Sequence, residues 1–556
     1  MREMGKKSAK NNFIMQAGIL AAAGIISRII GLLYRSPLHS VIGDLGLGFY
    51  QSAYTFYTIV LLISSYSIPA AVSKVIAQKL AVKEYRNAHR IFRCALGYVL
   101  VVGGAASLFL FLGAGLLVEE AAVPVLRTFA PTVFIYGMLG VLRGYFQAHK
   151  SMAQTSVSQV LEQVANAVVS VGAAYLLIKN TMGTLEMPTE ETEQILRATR
   201  GAIGSALGTG VGVLVALLFM LAVYKLNKSF IDRRIRYDRH TEVDSYREIL
   251  KMITMVVTPF VLSTAIYNLN DTINNALYTK IYLKVRELDT VGTYSGWGVL
   301  SGQALTISKI PIAFASAMAA AMIPTVAQLI AARNVEGAKD KIGVAVKTTM
   351  IISIPCAVGL FVLARPVTCL LFPANTQASE DLATGLLMAL AISIVFYALS
   401  TLNSQILQGL GRMNVPIVNA AIALGFQTVV VVVLLFFTKL DLYSVVIANI
   451  IYSGIMCVLN QLAVRKAIGY RQEIMRTFVI PLLASAFMGA VAWAVYEGFL
   501  LMTKSPRISV IPAVLIGAAA YFALLILFRG VTETELRGFP KGHLLVRLAK
   551  KCRLMK

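Results

Sequence analysis

Charged side chains are scarce in this sequence: Asp, Glu, Lys and Arg make up 14% of its 556 residues, against about a quarter in soluble globular chains. That scarcity excludes a conventional soluble domain, whose surface is built from such residues. Tryptophan occurs twice, and histidine and cysteine five times each. Cys94, Cys356, Cys369, Cys457 and Cys552 form no CxxC pair and the histidines no HExxH, so neither a disulfide framework nor a metal site is indicated. No GxxxxGK[ST] stretch is present, which excludes a P-loop ATPase within the chain. The polar breaks reach only about 20 residues, well under the ~50 of a small folded domain. The chain is therefore not read as an enzyme.

What the sequence has in abundance is apolar length. Hydrophobic residues make up 57% of it, in runs of about 20 residues that each suffice to cross ~30 Å of hydrocarbon as a helix. The runs fall at 12–34, 49–71, 91–113, 123–146, 156–178 and 199–226, then at 249–279, 298–323, 343–365, 382–407, 416–438 and 443–464, and finally at 474–497 and 508–529. The expected fold class is all-α, a polytopic membrane protein of about 14 transmembrane helices. The first run has a basic lead-in (Arg2, Lys6, Lys7, Lys10) but no small-residue cleavage site, so it reads as a retained helix.

The runs repeat. IPAAVSKVIAQ from Ile68 matches IPTVAQLIAAR from Ile323, and QAHKSMAQTSV from Gln147 matches QGLGRMNVPIV from Gln408 at an offset of 261. The expected organisation is a six-helix bundle over 1–226, a basic cytoplasmic linker over 227–248, a second six-helix bundle over 249–464, two appended helices within 465–529 and a basic cytoplasmic tail over 530–556. Because six is even, the copies share one topology and should be related by an axis along the membrane normal, around a cavity that rocking would open alternately to either side.

Orientation follows from the 51 Lys and Arg residues, since basic loops stay in the cytoplasm. Eight lie in 225–251 and eight more in 529–556, which puts both termini inside. The net charge of +24 is spread over loops beside helix ends, a pattern suited to anionic membrane lipids and not to nucleic acid. Lys79, Lys83, Arg86 and Arg90, against Val72, Ile76 and Leu80, read as an interfacial amphipathic helix.

Polar residues inside the spans are costly in lipid and mark candidate cavity positions. Arg28 and Arg35, in SRIIGLLYR, stand two helical turns apart on one face, where two guanidinium forks suit phosphate oxygens. Lys309 and Glu162 are further cavity candidates. Asp271, in YNLNDTINN with Asn270 and Asn274 beside it, is a candidate for coupling to Na+ or H+, and no other cofactor is indicated. Glu186, Glu190, Glu191 and Glu193 read as a solvated acidic loop, and Gly204, Gly208 and Gly212 as a close-packing stripe.

SRIIGLLYR with the glycine-rich IGDLGLGFYQ after it, the Ile-Pro and Ile-Ala endings of spans two and eight, and the six-plus-six-plus-two layout together resemble one family. This is the MurJ-like lipid II flippases, with the stage V sporulation protein B-like members, in the polysaccharide transporter branch of the multidrug/oligosaccharidyl-lipid/polysaccharide flippase superfamily. The resemblance implies a plasma-membrane flippase that carries an undecaprenyl-pyrophosphate-linked precursor, above all lipid II, from inner to outer leaflet for peptidoglycan synthesis, with cell-wall synthesis enzymes as partners. It implies that Arg28 and Arg35 line a cationic cavity and that the last two spans extend a groove for the lipid tail. Lys309 is displaced by about a turn from the arginine some members carry, and FYQ stands where some carry an acidic residue. The alternatives are a flippase for a teichoic acid, capsule or spore-cortex intermediate, a cation-coupled multidrug exporter, which would favour twelve spans and cavity carboxylates, and a membrane glycosyltransferase.

Overall fold

A computed structural model describes residues 23–531 apart from 25, 67, 183–188, 239–242, 287–288 and 374–375, together with 533 and 547. The basic lead-in, most of the basic tail, Glu186 and Cys552 lie outside the described residues. Every regular element among those described is helical, as a hydrocarbon solvent requires of a chain that forms no closed barrel. Eleven helices meet both the length and the hydropathy of a membrane span, and the chain is a polytopic all-α membrane protein.

The chain divides into two compact units, Met1–Gly298 and Val299–Lys556. Helical residues 26–33 lead the first, followed by α1 (Arg35–Leu61), α2 (Ile68–Ala81), α3 (Tyr85–Leu117), α4 (Val123–Ala148), α5 (Met152–Met182), α6 (Glu190–Arg236), α7 (Tyr246–Lys280) and the short α8 (Thr290–Trp297). The second holds α9 (Leu305–Ala331), α10 (Val335–Val362), α11 (Ala364–Leu371), α12 (Gln377–Gly409), α13 (Asn414–Phe437), α14 (Leu442–Ile468), α15 (Ile480–Thr503) and α16 (Pro506–Leu527). The run expected at 249–279 is thus α7, and its contacts place it in the first unit.

Three local features depart from the sequence reading. α1 is kinked at Gly43, whose φ of 67° needs a residue without Cβ. Lys79 to Arg90 do not form one amphipathic helix: α2 stops at Ala81, and Lys83 turns the chain with φ of 65° before α3 begins. Glu190, Glu191 and Glu193 form the first turn of α6, whose first amides they complement as carboxylates, and Thr189 caps it by accepting from the Thr192 amide at 3.3 Å.

The repeated motifs close in the same way in both units. After α2 the Lys83 amide donates to Leu80 and that of Glu84 to Lys79, and after α9 the Arg333 amide donates to Ile330 and that of Asn334 to Leu329. After α4 and α12 the corresponding donors are Lys150 and Ser151, and Gly411 and Arg412. Each turn is the left-handed cap that stops a helix and reverses the chain.

Packing within the first unit is tightest between α5 and α6. A Cβ on Gly204 or Gly208 would collide with the backbone of Ala174 or Ser170, and one on Gly212 would sit 2.6 Å from the carbonyl oxygen of Glu162. The glycine stripe thereby sets the rotation of α5, and with it the direction of Glu162. In the second unit the C-terminal pair is anchored to α10 by Tyr521, whose hydroxyl donates to the Ile351 carbonyl at 2.8 Å. Large apolar side chains stand exposed along α3 (Leu100, Leu108, Leu112, Leu116), as a lipid-facing helix requires.

Candidate functional site

The first helix brings its arginines to α5. Gly31 faces Gln163, with the side-chain oxygen 3.5 Å from where a Cβ would be, and the amide of Asn166 donates to the Tyr34 hydroxyl at 3.5 Å. Arg28 lies a turn before Gly31 and Arg35 a turn after, within about 20° of each other around the axis at 100° per residue. Arg28 is exposed and Arg35, the first residue of α1, is half-buried. Tyr50, Tyr54 and Tyr57 of α1 pack with Phe129 of α4 as an aromatic cluster. Tyr57 stacks on Phe129 at 4.7 Å between ring centres, and Tyr50 meets the Thr209 hydroxyl of α6 at 3.4 Å.

Glu162 does not stand alone. Its carboxylate receives the Arg143 guanidinium at 2.8 Å, and Arg143 Nε donates to the Ser158 hydroxyl at 2.9 Å. The side chains are 7% exposed for Arg143 and 16% for Glu162. Arg143 is the functional candidate that sequence reading missed. It lies five residues from the C-terminal end of α4 and reads in the sequence as one more cation beside a loop. The signal that could have found it is the spacing of Arg143, Ser158 and Glu162 about the α4–α5 turn.

Asp271, half-buried, lies on α7. Asn270 and Asn274 beside it are buried and one turn apart, with the Asn274 amide donating to Asn270 at 3.4 Å. Asn268 is exposed. Further along, Asn275 donates to both the carbonyl and the hydroxyl of Ser52 on α1, at 3.3 and 3.0 Å, while its own side-chain oxygen is buried without a partner. Ser52 also lines a cavity of about 340 Å³ with Glu119, Glu120, Thr279, Lys280 and Lys284. Lys309 lies in the second unit, on α9, exposed beside the buried Ile307 and Ser308. Asp44, in α1 just after the Gly43 kink, pairs with the fully buried His39 at 2.7 Å.

The loop before α7 is tied to the α2–α3 turn. Lys79 bridges Glu84 at 2.9 Å and Asp244 at 2.6 Å, Asn87 accepts from the Asp244 amide, and the Arg90 guanidinium lies 4.2 Å from the centre of the Tyr246 ring. Burial pulls the Lys79 ammonium down, but hydrogen bonds to Asp244 and Glu84 outweigh it and hold its pKa above the ordinary value.

Residues 89–511 match the family model for the lipid II flippase MurJ. The chain is 24% identical to the lipid II flippase MurJ of Bacillus subtilis (strain 168) over 544 residues, covering 93% of this chain and 94% of that one. Its fold is that of MurJ in an inward closed conformation (TM-score 0.63, 14% identity, 93% of this chain and 98% of that one). It is equally that of an inward-facing MATE family multidrug transporter (TM-score 0.63, 20% identity), which covers 80% of this chain and 94% of its own. A family match over most of its length settles the assignment: the chain belongs to the MurJ lipid II flippase family.

Proposed function

We propose that this protein carries an undecaprenyl-pyrophosphate-linked cell-wall precursor, most simply lipid II, from the inner to the outer leaflet by alternating access. What supports the reading beyond family membership is that Gly31 and Tyr34, which lie between Arg28 and Arg35 in the chain, meet Gln163 and Asn166 of α5. A pyrophosphate cannot cross hydrocarbon unaided. Guanidinium groups lining its route replace the hydration it loses, while the polyprenyl tail stays in the bilayer. A drug exporter of the same fold would have to hold organic cations, for which cavity arginines are the wrong sign.

On this reading both termini are cytoplasmic, the basic segments rest on anionic lipid head groups, and Asp271 is the candidate for coupling transport to Na+ or H+. The test is complementation of a strain depleted of its lipid II flippase, with outer-leaflet lipid II as the readout. Rescue by the wild type and loss with Arg28→Ala, inserted at normal levels, is the expected result. Export at the wild-type rate in Arg28→Ala would remove the phosphate-binding role, and failure of the inserted wild type to rescue would overturn lipid II as the cargo.

A further inference from the structure

The Arg143–Glu162 pair is expensive where it stands. By helix rise it lies about 7 Å inside the end of α4 and about 15 Å inside the start of α5, and both partners are largely withdrawn from solvent. Removing two charges from water costs more than a neutral contact of the same shape. Helix packing alone does not require it, because the second unit solves the same packing without charge. At the repeat offset of 261 the positions of Arg143, Ser158 and Glu162 become Ser404, Asn419 and Ala423. There Asn419 donates to Asn460 at 2.8 Å and Asn460 donates to Ser404 at 2.8 Å, a neutral link, while Ala423 is fully buried. Gly212, pressed on the Glu162 carbonyl, fixes the rotation of α5 at that residue, and Gln163, the next residue, faces the helix that bears Arg28 and Arg35. The pair therefore borders the region where the arginines stand.

We propose that Arg143 is a substrate-binding residue whose guanidinium Glu162 holds in the position a phosphate oxygen takes, so that an entering pyrophosphate displaces Glu162 and inherits Arg143 together with its Ser158 contact. The carboxylate accepts from Arg143 Nη2 through one oxygen while Nε donates to Ser158, as a phosphate oxygen would accept from the same nitrogen, and it keeps Arg143 in its binding rotamer until the anion arrives. Glu162 sets specificity by competition: only an anion that holds the fork better than one carboxylate gains the site, which favours the more highly charged pyrophosphate over a monophosphate. The inference rests on the flippase reading above.

The test uses the full chain in nanodiscs, with farnesyl pyrophosphate as the probe and farnesyl phosphate as the control, binding being followed by thermophoresis. Glu162→Gln, near-isosteric and still able to accept a hydrogen bond, should bind the pyrophosphate about tenfold more tightly, because the competitor no longer occupies the fork, and should narrow the margin over the monophosphate. Arg143→Lys, which keeps the charge but not the fork, should weaken binding about tenfold and abolish the gain when combined with Glu162→Gln. Unchanged or weaker pyrophosphate binding in Glu162→Gln, at an unchanged Tm, would make the pair structural and overturn the proposal while leaving the flippase reading intact. Absence of pyrophosphate binding by the wild type would overturn both.

Discussion

Gly48 on α1 meets the backbone of Tyr294 on α8 with no room between them: a Cβ on Gly48 would collide with the Tyr294 carbonyl oxygen. Reciprocally, a Cβ on Gly298 would collide with the carbonyl of Asp44, one turn before Gly48. Four residues separate Gly48 from Asp44 and Gly298 from Tyr294, so two helical turns interlock through bare backbone. Gly48→Ala should therefore destabilise the protein by about 1–3 kcal/mol through overpacking. Thermal unfolding in detergent measures it, and an unchanged Tm would mean the two elements part freely.

Lys150 and Gly411 occupy the same place in the two copies of one turn, with φ of 60° and 77°. A side chain in that conformation costs about 1 kcal/mol. Lys150→Gly should raise stability by about that amount and Gly411→Lys should lower it. Two denaturation curves decide the matter, and opposite signs are the point of the comparison.

The tie between α2–α3 and the loop before α7 has a pH signature. The folded pKa of Lys79 is raised, so the stability it contributes is fully present below the unfolded value of about 10.4 and is lost as pH rises through the folded one. Lys79→Met should lower stability at neutral pH by about 1 kcal/mol, the scale of a partly solvent-exposed ion-pair network. The wild-type and variant curves should converge as pH climbs past about 10.5; a gap that persists there would show that packing of the Lys79 stem, not its charge, is what the variant loses.

Asp271 is the residue to question about energy coupling. Asp271→Asn should change the sodium or pH dependence of export while leaving the protein in the membrane. Transport in vesicles under imposed Na+ and H+ gradients reads this, and an identical profile would make Asp271 a packing residue.

The span pattern was legible because apolar length leaves a periodic trace, and the repeat because its turns need particular backbone shapes. Other features were hidden for physical reasons. The break at Lys83 is invisible to periodicity, since a left-handed lysine does not announce itself as a glycine would. Arg143 was hidden by position: a basic residue near a helix end is a common case in a membrane protein, and only its partners on α5 set it apart. The acidic residues at 190–193 looked like a solvated loop because capping depends on which residue stops being extended, here Thr189. Arg28 and Arg35 were visible as an i, i+7 pair, but what they face was not, because that depends on Gly31 meeting Gln163 across a distance no local pattern records.

α6 runs for 47 residues without a break, about 70 Å at 1.5 Å per residue, more than twice the ~30 Å of hydrocarbon it must cross. A rod of that length acts as a lever with the bilayer as its fulcrum. A tilt of 10° about the membrane midplane would swing an end 35 Å away by about 6 Å. Small rearrangements where α6 grips α5 would therefore reach the basic terminus at Arg233, Arg234 and Arg236 as large displacements.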